Sequence, residues 1–442
     1  MVVAGVLLVT STSPAEPLAQ QSRRQREPAR TMSYRGAPWL ERVERAGEER
    51  PDEVIDAMHL QPGDVVADVG VGSGYFARRI AARVGPEGKV YGVDIQPEML
   101  QILEESLEKE GITNVEPVLG GAADPNLPTS AIDWILLVDV YHEFSEPGGM
   151  LARMRESLAP GGRVALLEYR LEDETGDHIY ADHRMSVRQV LAEWQAAGFE
   201  LVDLYEFLPS QHMFILRDAT DPSDASPETR LEDFDLFAAI ELGLVEVDPR
   251  GSSREEVELR IRRTVDRRFV VTAPAGTFFV AQGGYADMVA RSDAALIVDD
   301  DDWKLWRIRA ATTHWDKATP TTDDRFELRP ASDDRRLTAV VGALQAGTYR
   351  VSPDAESVTY APQTIGVAES AVWIALADPS YEEVERWLGD SQVPGFYAAA
   401  FGLVLCERAG IDIRGTRMWD DRATIFERVE LRELNSWYGS GR

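Results

Sequence analysis

The segment VVADVGVGSGYFARRI, Val65 to Ile80, constrains this chain more than any other: an apolar strand runs directly into Gly70-Val71-Gly72-Ser73-Gly74, and a helical pattern begins at once. Glycines let the backbone turn tightly and come close to a ligand, and a helix start presents free N–H groups. A P-loop requires Gly-Lys followed by Ser or Thr, which is absent here. The dinucleotide fingerprint places Gly or Ala five positions after the first glycine, where this chain has Tyr75. What remains is a ligand without phosphate that needs only a close approach of the backbone.

From residue 32 to about 217, apolar runs alternate with helix-period segments. Val65–Val69, Val90–Val93, Ile132–Val138, Val164–Leu167 and Met213–Leu216 read as short buried strands. Pro97 suits a first helical turn, Leu100, Leu103 and Leu107 form one stripe, and Gly111 stops the helix. Ser186 with Gln189 makes a capping box ahead of Val190, Leu191 and Trp194, and Gly198 closes that helix. Such alternation predicts an α/β fold, a parallel-rich sheet covered on both faces. The chain of 442 residues exceeds one ordinary core, and its pattern changes after residue 217. Residues 218–227 (DATDPSDASP) are polar and broken by prolines, which marks a linker where the halves should separate. Residues 228–362 alternate apolar and polar positions, as at Val257, Leu259 and Ile261, and predict a β-sandwich. Leu337–Leu344 is read as one of its strands. Residues 363–442 turn helical, with a capping box at Ser380 and Glu383 and an apolar helix from Phe396.

Acidic residues number 76 against 46 basic ones, a formal charge of −30 that repels nucleic-acid phosphates and anionic lipid headgroups. No apolar run reaches the ~18 residues that span a bilayer. Cys406 is the only cysteine, which excludes an internal disulfide and a cysteine-held zinc or iron–sulfur site. Val2–Val9 is a short apolar run followed by Ser, Thr and Pro, so residues 1–32 read as a leader of the export type, although a basic start is missing.

DVGVGSG, followed by VYGVDIQPEML (Val90 to Leu100), resembles motif I and the next acidic strand end of class I S-adenosylmethionine (SAM)-dependent methyltransferases. Three further stretches continue the resemblance over residues 33–217: Gly120 to Asp124 with Leu127-Pro128, IDWILLVDVYHEF (Ile132 to Phe144) and LAPGGRVALLE (Leu158 to Glu168). The similarity is greatest to the ubiquinone- and menaquinone-biosynthesis type. It implies a Rossmann-like seven-stranded sheet, SAM as cofactor and a small or hydrophobic acceptor. The residues it places at the cofactor are Asp68, Gly70, Gly72, Gly74, Asp94, Ile95, Ala122 and Asp139, with Asp94 on the ribose hydroxyls. Many relatives have an acid where Gly121 stands, so adenine contact there falls to the backbone.

Methyl transfer depends on aligning nucleophile, methyl and sulfur, and a base assists when the acceptor carries a proton. His142 at the end of the fourth strand is the candidate base, and Tyr141 the residue that shapes the acceptor pocket. His178, His183 and His212 read as solvated or loop histidines. No metal set is expected, since the sequence does not show converging ligands. The acidic run Asp299–Asp302 lacks calcium-loop spacing and reads as a solvated turn. The rival function class is a non-catalytic exported protein in which the α/β domain is a scaffold for the sandwich.

Overall fold

The computed structural model describes residues 28–176, 178–224, 230–346, 348–350, 358–360, 364–388 and 394–429. The apolar run of the leader and residues 225–227 of the linker lie outside the described residues. Three short helices, α1 (Ala37–Leu40), α2 (Arg45–Glu49) and α3 (Pro51–Ala57), lead into β1 (Val65–Val69). There follow α4 (Tyr75–Val84), β2 (Lys89–Asp94), α5 (Pro97–Glu110), β3 (Val115–Leu119), β4 (Ile132–Val138), α6 (Pro147–Ser157) and β5 (Leu158–Arg170). The short β6 (Arg184–Met185), α7 (Val187–Ala196), β7 (Phe199–Tyr205) and β8 (Gln211–Asp218) complete the unit. Its strands form one sheet in the order β3-β2-β1-β4-β5-β8-β7, with β6 beside β5. Strands β1 to β5 run parallel, β8 is antiparallel to β5, and β7, antiparallel to β8, runs in the direction of β1 to β5 again. The expected α/β sheet is present, with seven strands along its main path. Strand order reverses at β1, because the chain goes outward through β2 and β3 and returns on the other side as β4. That reversal opens a crevice beyond the carboxyl ends of β1 and β4.

Side-chain alternation explains why both faces are covered. Val66, Leu136, Ala165, Leu167 and Ile215 pack toward α3, α4 and α5, while Ala67, Ile135, Leu137, Leu166 and Leu216 pack toward α6 and α7. In α5, Pro97 opens the helix, Leu100, Leu103 and Leu107 are buried, and Gly111 ends it at φ +67°. Ser186 caps α7 by accepting from the Gln189 N–H at 3.1 Å, but the Gln189 side chain turns to Glu193 instead of reaching back. The capping box therefore closes from one side only.

Beyond the linker come β9 (Asp233–Asp235), α8 (Leu236–Glu241), β10 (Val245–Gly251), β11 (Glu256–Arg263), β12 (Phe269–Ala273), β13 (Phe278–Ala281), β14 (Met288–Ala290), β15 (Ala294–Val298), β16 (Lys304–Thr312) and β17 (Phe326–Arg329). They form a sheet ordered β10-β11-β16-β14-β13-β17 and a smaller one ordered β15-β12-β9. Leu259, Ile261, Phe269, Val271, Phe279 and Ile308 from the two sheets share one core. Residues Arg335–Ala346 are a helix, α9, and not the expected strand. Leu337, Val340, Val341 and Leu344 are its buried stripe, a helical spacing disguised by a β-branched composition. α10 (Ile365–Leu376), α11 (Tyr381–Leu388) and α12 (Gly395–Arg408) follow, and α9, α10 and α12 bury Val289 and Ala311 of the larger sheet. Cys406 lies inside this cluster, where burial pushes its thiol up to about 12, in keeping with a packing role.

The two halves are in close contact. Leu231 and Val270 are buried in the same apolar cluster as Trp194 and Phe199 of the first half, with Ala295 and Ile297 packed beside them. Asp293, 4% exposed, ties three segments together. Its Oδ2 accepts from Ser186 Oγ at 2.8 Å and Gln345 Nε2 at 2.9 Å, and its Oδ1 accepts from the Ala275 N–H at 2.9 Å. The polar linker composition thus hides an apolar contact that a cut at 218–227 would expose. Hydrogen bonds to a charged acceptor contribute ~1.5–3 kcal/mol each, with losses at one site overlapping, so Asp293→Ala is expected to cost about 3 kcal/mol. Urea unfolding measures this, and a midpoint equal to the parent's would show the junction to be energetically silent.

Candidate active site at the sheet crossover

The glycine loop has the backbone that its composition predicts. Gly70, Gly72 and Gly74 take φ values of +82°, +53° and +86°, a region that side chains disfavour. A Cβ on Gly70 would lie 2.6 Å from Val140 Cγ2, and one on Gly72 2.7 Å from Leu40 Cδ1. The loop is braced from β2: the Gly72 N–H donates to Asp94 Oδ2 at 3.1 Å, and the Gln96 N–H donates to Asp94 Oδ1 at 2.9 Å. Burial raises the Asp94 carboxyl against these N–H donors. The Ile95 N–H also faces this carboxyl, which keeps acceptor capacity for a ligand hydroxyl. Ile95 beside it is half exposed, like Leu119 at the end of β3, and together they leave an apolar edge. Ala122 lies in the next loop, where the Gly121 N–H donates to the Asp124 carbonyl at 2.8 Å.

Two buried carboxylates mark the crevice. Asp68 in β1 is 3% exposed, and its Oδ2 has no hydrogen-bond partner among the described residues. Burial raises it to about 7, against the Arg45 guanidinium and the Ala77 N–H. Asp139, just past β4, sits at φ +51°, uncommon for a residue with a side chain. Gln211 Nε2 donates to its Oδ2 at 2.7 Å, while the buried Oδ1 has no hydrogen-bond partner among the described residues. Burial, with Glu49 and Glu168 nearby, raises Asp139 well above the usual carboxylate range. An unmet buried acceptor costs ~1–3 kcal/mol, so two at one crevice point to donors arriving with a ligand.

The chain before β1 covers this crevice, which the sequence did not reveal. Gln96 holds it by accepting from the Tyr34 N–H and donating to the Met32 carbonyl, both at 2.9 Å. Ser73 Oγ donates to Glu41 at 2.6 Å. Arg45 is paired with Glu49 at 2.8 Å and lies 4.4 Å from the centre of the Tyr75 ring. Residues 29–32, read from sequence as leader, belong to this cover: the Ala29 N–H donates to the His142 carbonyl at 3.0 Å.

His142, expected on the acceptor side, is 2% exposed and its Nδ1 lies 2.7 Å from Glu168 Oε2. The same carboxylate accepts the His142 N–H at 3.2 Å. Glu168 ends the LAPGGRVALLE stretch, so the ordered motifs carried this partner without announcing it. Tyr141 is placed differently from the acceptor-side expectation: it is fully buried between Phe144 and Trp194, and its hydroxyl donates to Glu193 on α7 at 2.6 Å. It anchors a helix. Two loop-histidine expectations are also corrected. His212 is buried between Glu206 and Glu172, at 2.8 and 2.9 Å. Burial alone would lower its pKa, but the two carboxylates raise it to about 10. His183 has its Nδ1 2.8 Å from Asp182 and its ring centre 5.0 Å from that of His142. His178 is exposed, consistent with the sequence expectation.

A family model described as a methyltransferase domain matches residues 60–207. Over this segment the chain is similar to class I methyltransferases. It is 30% identical over 117 residues to the demethylmenaquinone methyltransferase of Geobacillus kaustophilus, covering 26% of this chain and 50% of that protein. It is 41% identical over 144 residues to the ribosomal protein L11 methyltransferase of Thermus thermophilus, covering 32% of this chain and 48% of the relative. The chain thus matches about half the length of these curated relatives. A solved SAM-dependent methyltransferase from Aquifex aeolicus aligns with 25% identity and a TM-score of 0.39, over 42% of this chain and 98% of that one. SAM is the cofactor that the methyltransferase domain implies, and the residues present fit it. The positive-φ glycines permit close approach, Asp94 offers paired oxygens, and the unpartnered oxygens of Asp68 and Asp139 suit a ligand that is cationic and rich in N–H donors.

Because the folded Asp68 carboxyl titrates near 7, above its ordinary value, the fold penalises its ionised form, and this contribution to ligand-free stability falls as pH rises toward 7. A cationic ligand favours the ionised form, so SAM affinity should increase as pH passes upward through about 7. Calorimetric titration across that range checks the slope. Asp68→Asn is expected to flatten it, and an equal slope in both proteins would remove Asp68 from the site.

Proposed function

We propose that this protein is a SAM-dependent methyltransferase acting on a small or hydrophobic acceptor. The observation that carries the proposal is the pair of buried, unpartnered oxygens, Asp68 Oδ2 and Asp139 Oδ1, beside a glycine loop at the sheet crossover. A scaffold that binds nothing would gain stability by replacing them with apolar or paired groups. Bound SAM supplies an electrophilic methyl group. Gly70–Gly74 and Asp94 hold it, while Asp68 and Asp139 offer acceptors to its donors. Residues 29–49 cover the crevice and exclude water, which strengthens the electrostatics inside. His142, oriented by Glu168, stands on the acceptor side.

The two curated relatives bear names with very different acceptors, a quinone precursor and a ribosomal protein, so the shared segment does not select the acceptor. Selection is assigned to what surrounds it here: the cover, the 171–186 connection and the second half that meets α7.

Isothermal titration with SAM and with S-adenosylhomocysteine tests cofactor use, and no binding of either would leave only the scaffold. Asp94→Ala is expected to weaken SAM by roughly ten- to a hundredfold, as loss of hydrogen bonds to a charged acceptor costs ~1.5–3 kcal/mol. Parental affinity in that variant would overturn the assignment of β2. With an acceptor found among quinols, phenols, amines and thiols, His142→Gln should lower turnover by ~10²–10⁴ and leave SAM affinity near the parent's. Turnover within about twofold of the parent would reassign His142 to structure.

A further inference from the structure

His142, Glu143 and His183 each offer one ligating atom, and those atoms lie within 4.8 Å of one another. The residues come from two separate turns. His142 and Glu143 belong to the single turn Tyr141–Glu143 that follows β4, and His183 closes the turn Ala181–His183 that precedes β6.

Each imidazole is steered by its own carboxylate. Glu168 Oε2 holds His142 Nδ1 at 2.7 Å, and Asp182 Oδ1 holds His183 Nδ1 at 2.8 Å. A metal-ligating histidine characteristically gives its second ring nitrogen to a carboxylate, which fixes the tautomer and aims the other nitrogen at the ion. Both rings have that arrangement. A histidine placed for packing needs one partner. Here two rings with a carboxylate apiece also converge on a third carboxylate, Glu143. Glu143 is itself positioned, since its Oε1 accepts the Met32 N–H at 3.1 Å. The Arg30 backbone also hydrogen-bonds the His183 ring, so residues 30–32 close one side of the cluster. His142 is buried, whereas Glu143 and His183 are partly exposed, which leaves the set open on one side.

We propose that His142, Glu143 and His183 bind a divalent transition-metal ion of the zinc or ferrous type, with coordination positions left for an oxygen, nitrogen or sulfur atom of the methyl acceptor. Two histidines and one carboxylate with open positions suit both ions. The ion would hold and orient the acceptor heteroatom, and His142 would act as its ligand instead of contacting the acceptor itself. That last step rests on the methyltransferase assignment; the metal site does not.

The test uses the full chain, stripped with a chelator and titrated with Co²⁺, followed by visible absorption, and with Zn²⁺, followed by calorimetry. One equivalent of each should bind. His183→Ala should weaken binding by about a hundredfold or more, and Asp182→Asn by ~10–100-fold, the effect of losing a partner behind a ligand. SAM affinity, measured on the same samples, should not change in either variant. Absence of a Co²⁺ spectrum in the parent, or parental Co²⁺ affinity in both variants, overturns the site. Adding catechol or a small thiol to the Co²⁺ protein should alter its spectrum, and no change with either overturns the open positions. SAM binding lost with Co²⁺ binding kept would sink the methyltransferase reading alone, and the reverse outcome the metal alone.

Discussion

The buried guanidinium of Arg45 organises the crevice. Arg45 comes from the covering segment, pairs with Glu49, lies over Tyr75, and opposes the upward pull that burial exerts on Asp68 and Asp139. Even with Arg42 3.9 Å from Glu49, Arg45 does not offset the burial of Glu49, Asp68 and Asp139 together, and all three carboxyls remain raised. Burying carboxylates without partners is expensive, and the cost is tolerated where a ligand completes the charge balance. The strand ends, the covering helices and the glycine loop are therefore coupled through one electrostatic deficit.

Local features of this arrangement were legible in the sequence. The turn Gly70–Gly74, the start and end of α5 and the cap at Ser186 each depend on residues a few positions apart, so composition and spacing sufficed. The parallel-rich sheet followed because alternating strands and helices admit few topologies. Partners that meet only after folding were hidden: His142 and Glu168 are 26 positions apart, and Ser186 and Asp293 are 107 apart. Arg45 carried no signal, since nothing marks an arginine in a charged stretch as the one that will be buried. His183 was discounted because its meaning depends on a turn from another part of the chain. α9 was misread for a different reason: Val340 and Val341 favour strands on propensity, and tertiary packing against α10 overrode it.

The second half has a structural relation to the first that its sequence did not suggest. Its smaller sheet covers α7, and its helices reach the same place through Gln345. Both contacts fall close to His183, three residues before Ser186. The turn that carries His183 is thus framed by both parts of the chain, whereas the glycine loop and Asp94 belong to the first part.

The Asp293 junction also bears on how the molecule opens. Ser186 Oγ accepts from the helix start at Gln189 while donating to Asp293, so the first turn of α7 is hydrogen-bonded into both halves at once. Local fraying there requires breaking contacts on two sides, and amide protons at the start of α7 exchange with solvent only through a larger, shared opening. A hydrophilic tether between two cores would ordinarily uncouple their fluctuations; here one carboxylate makes them a single cooperative unit.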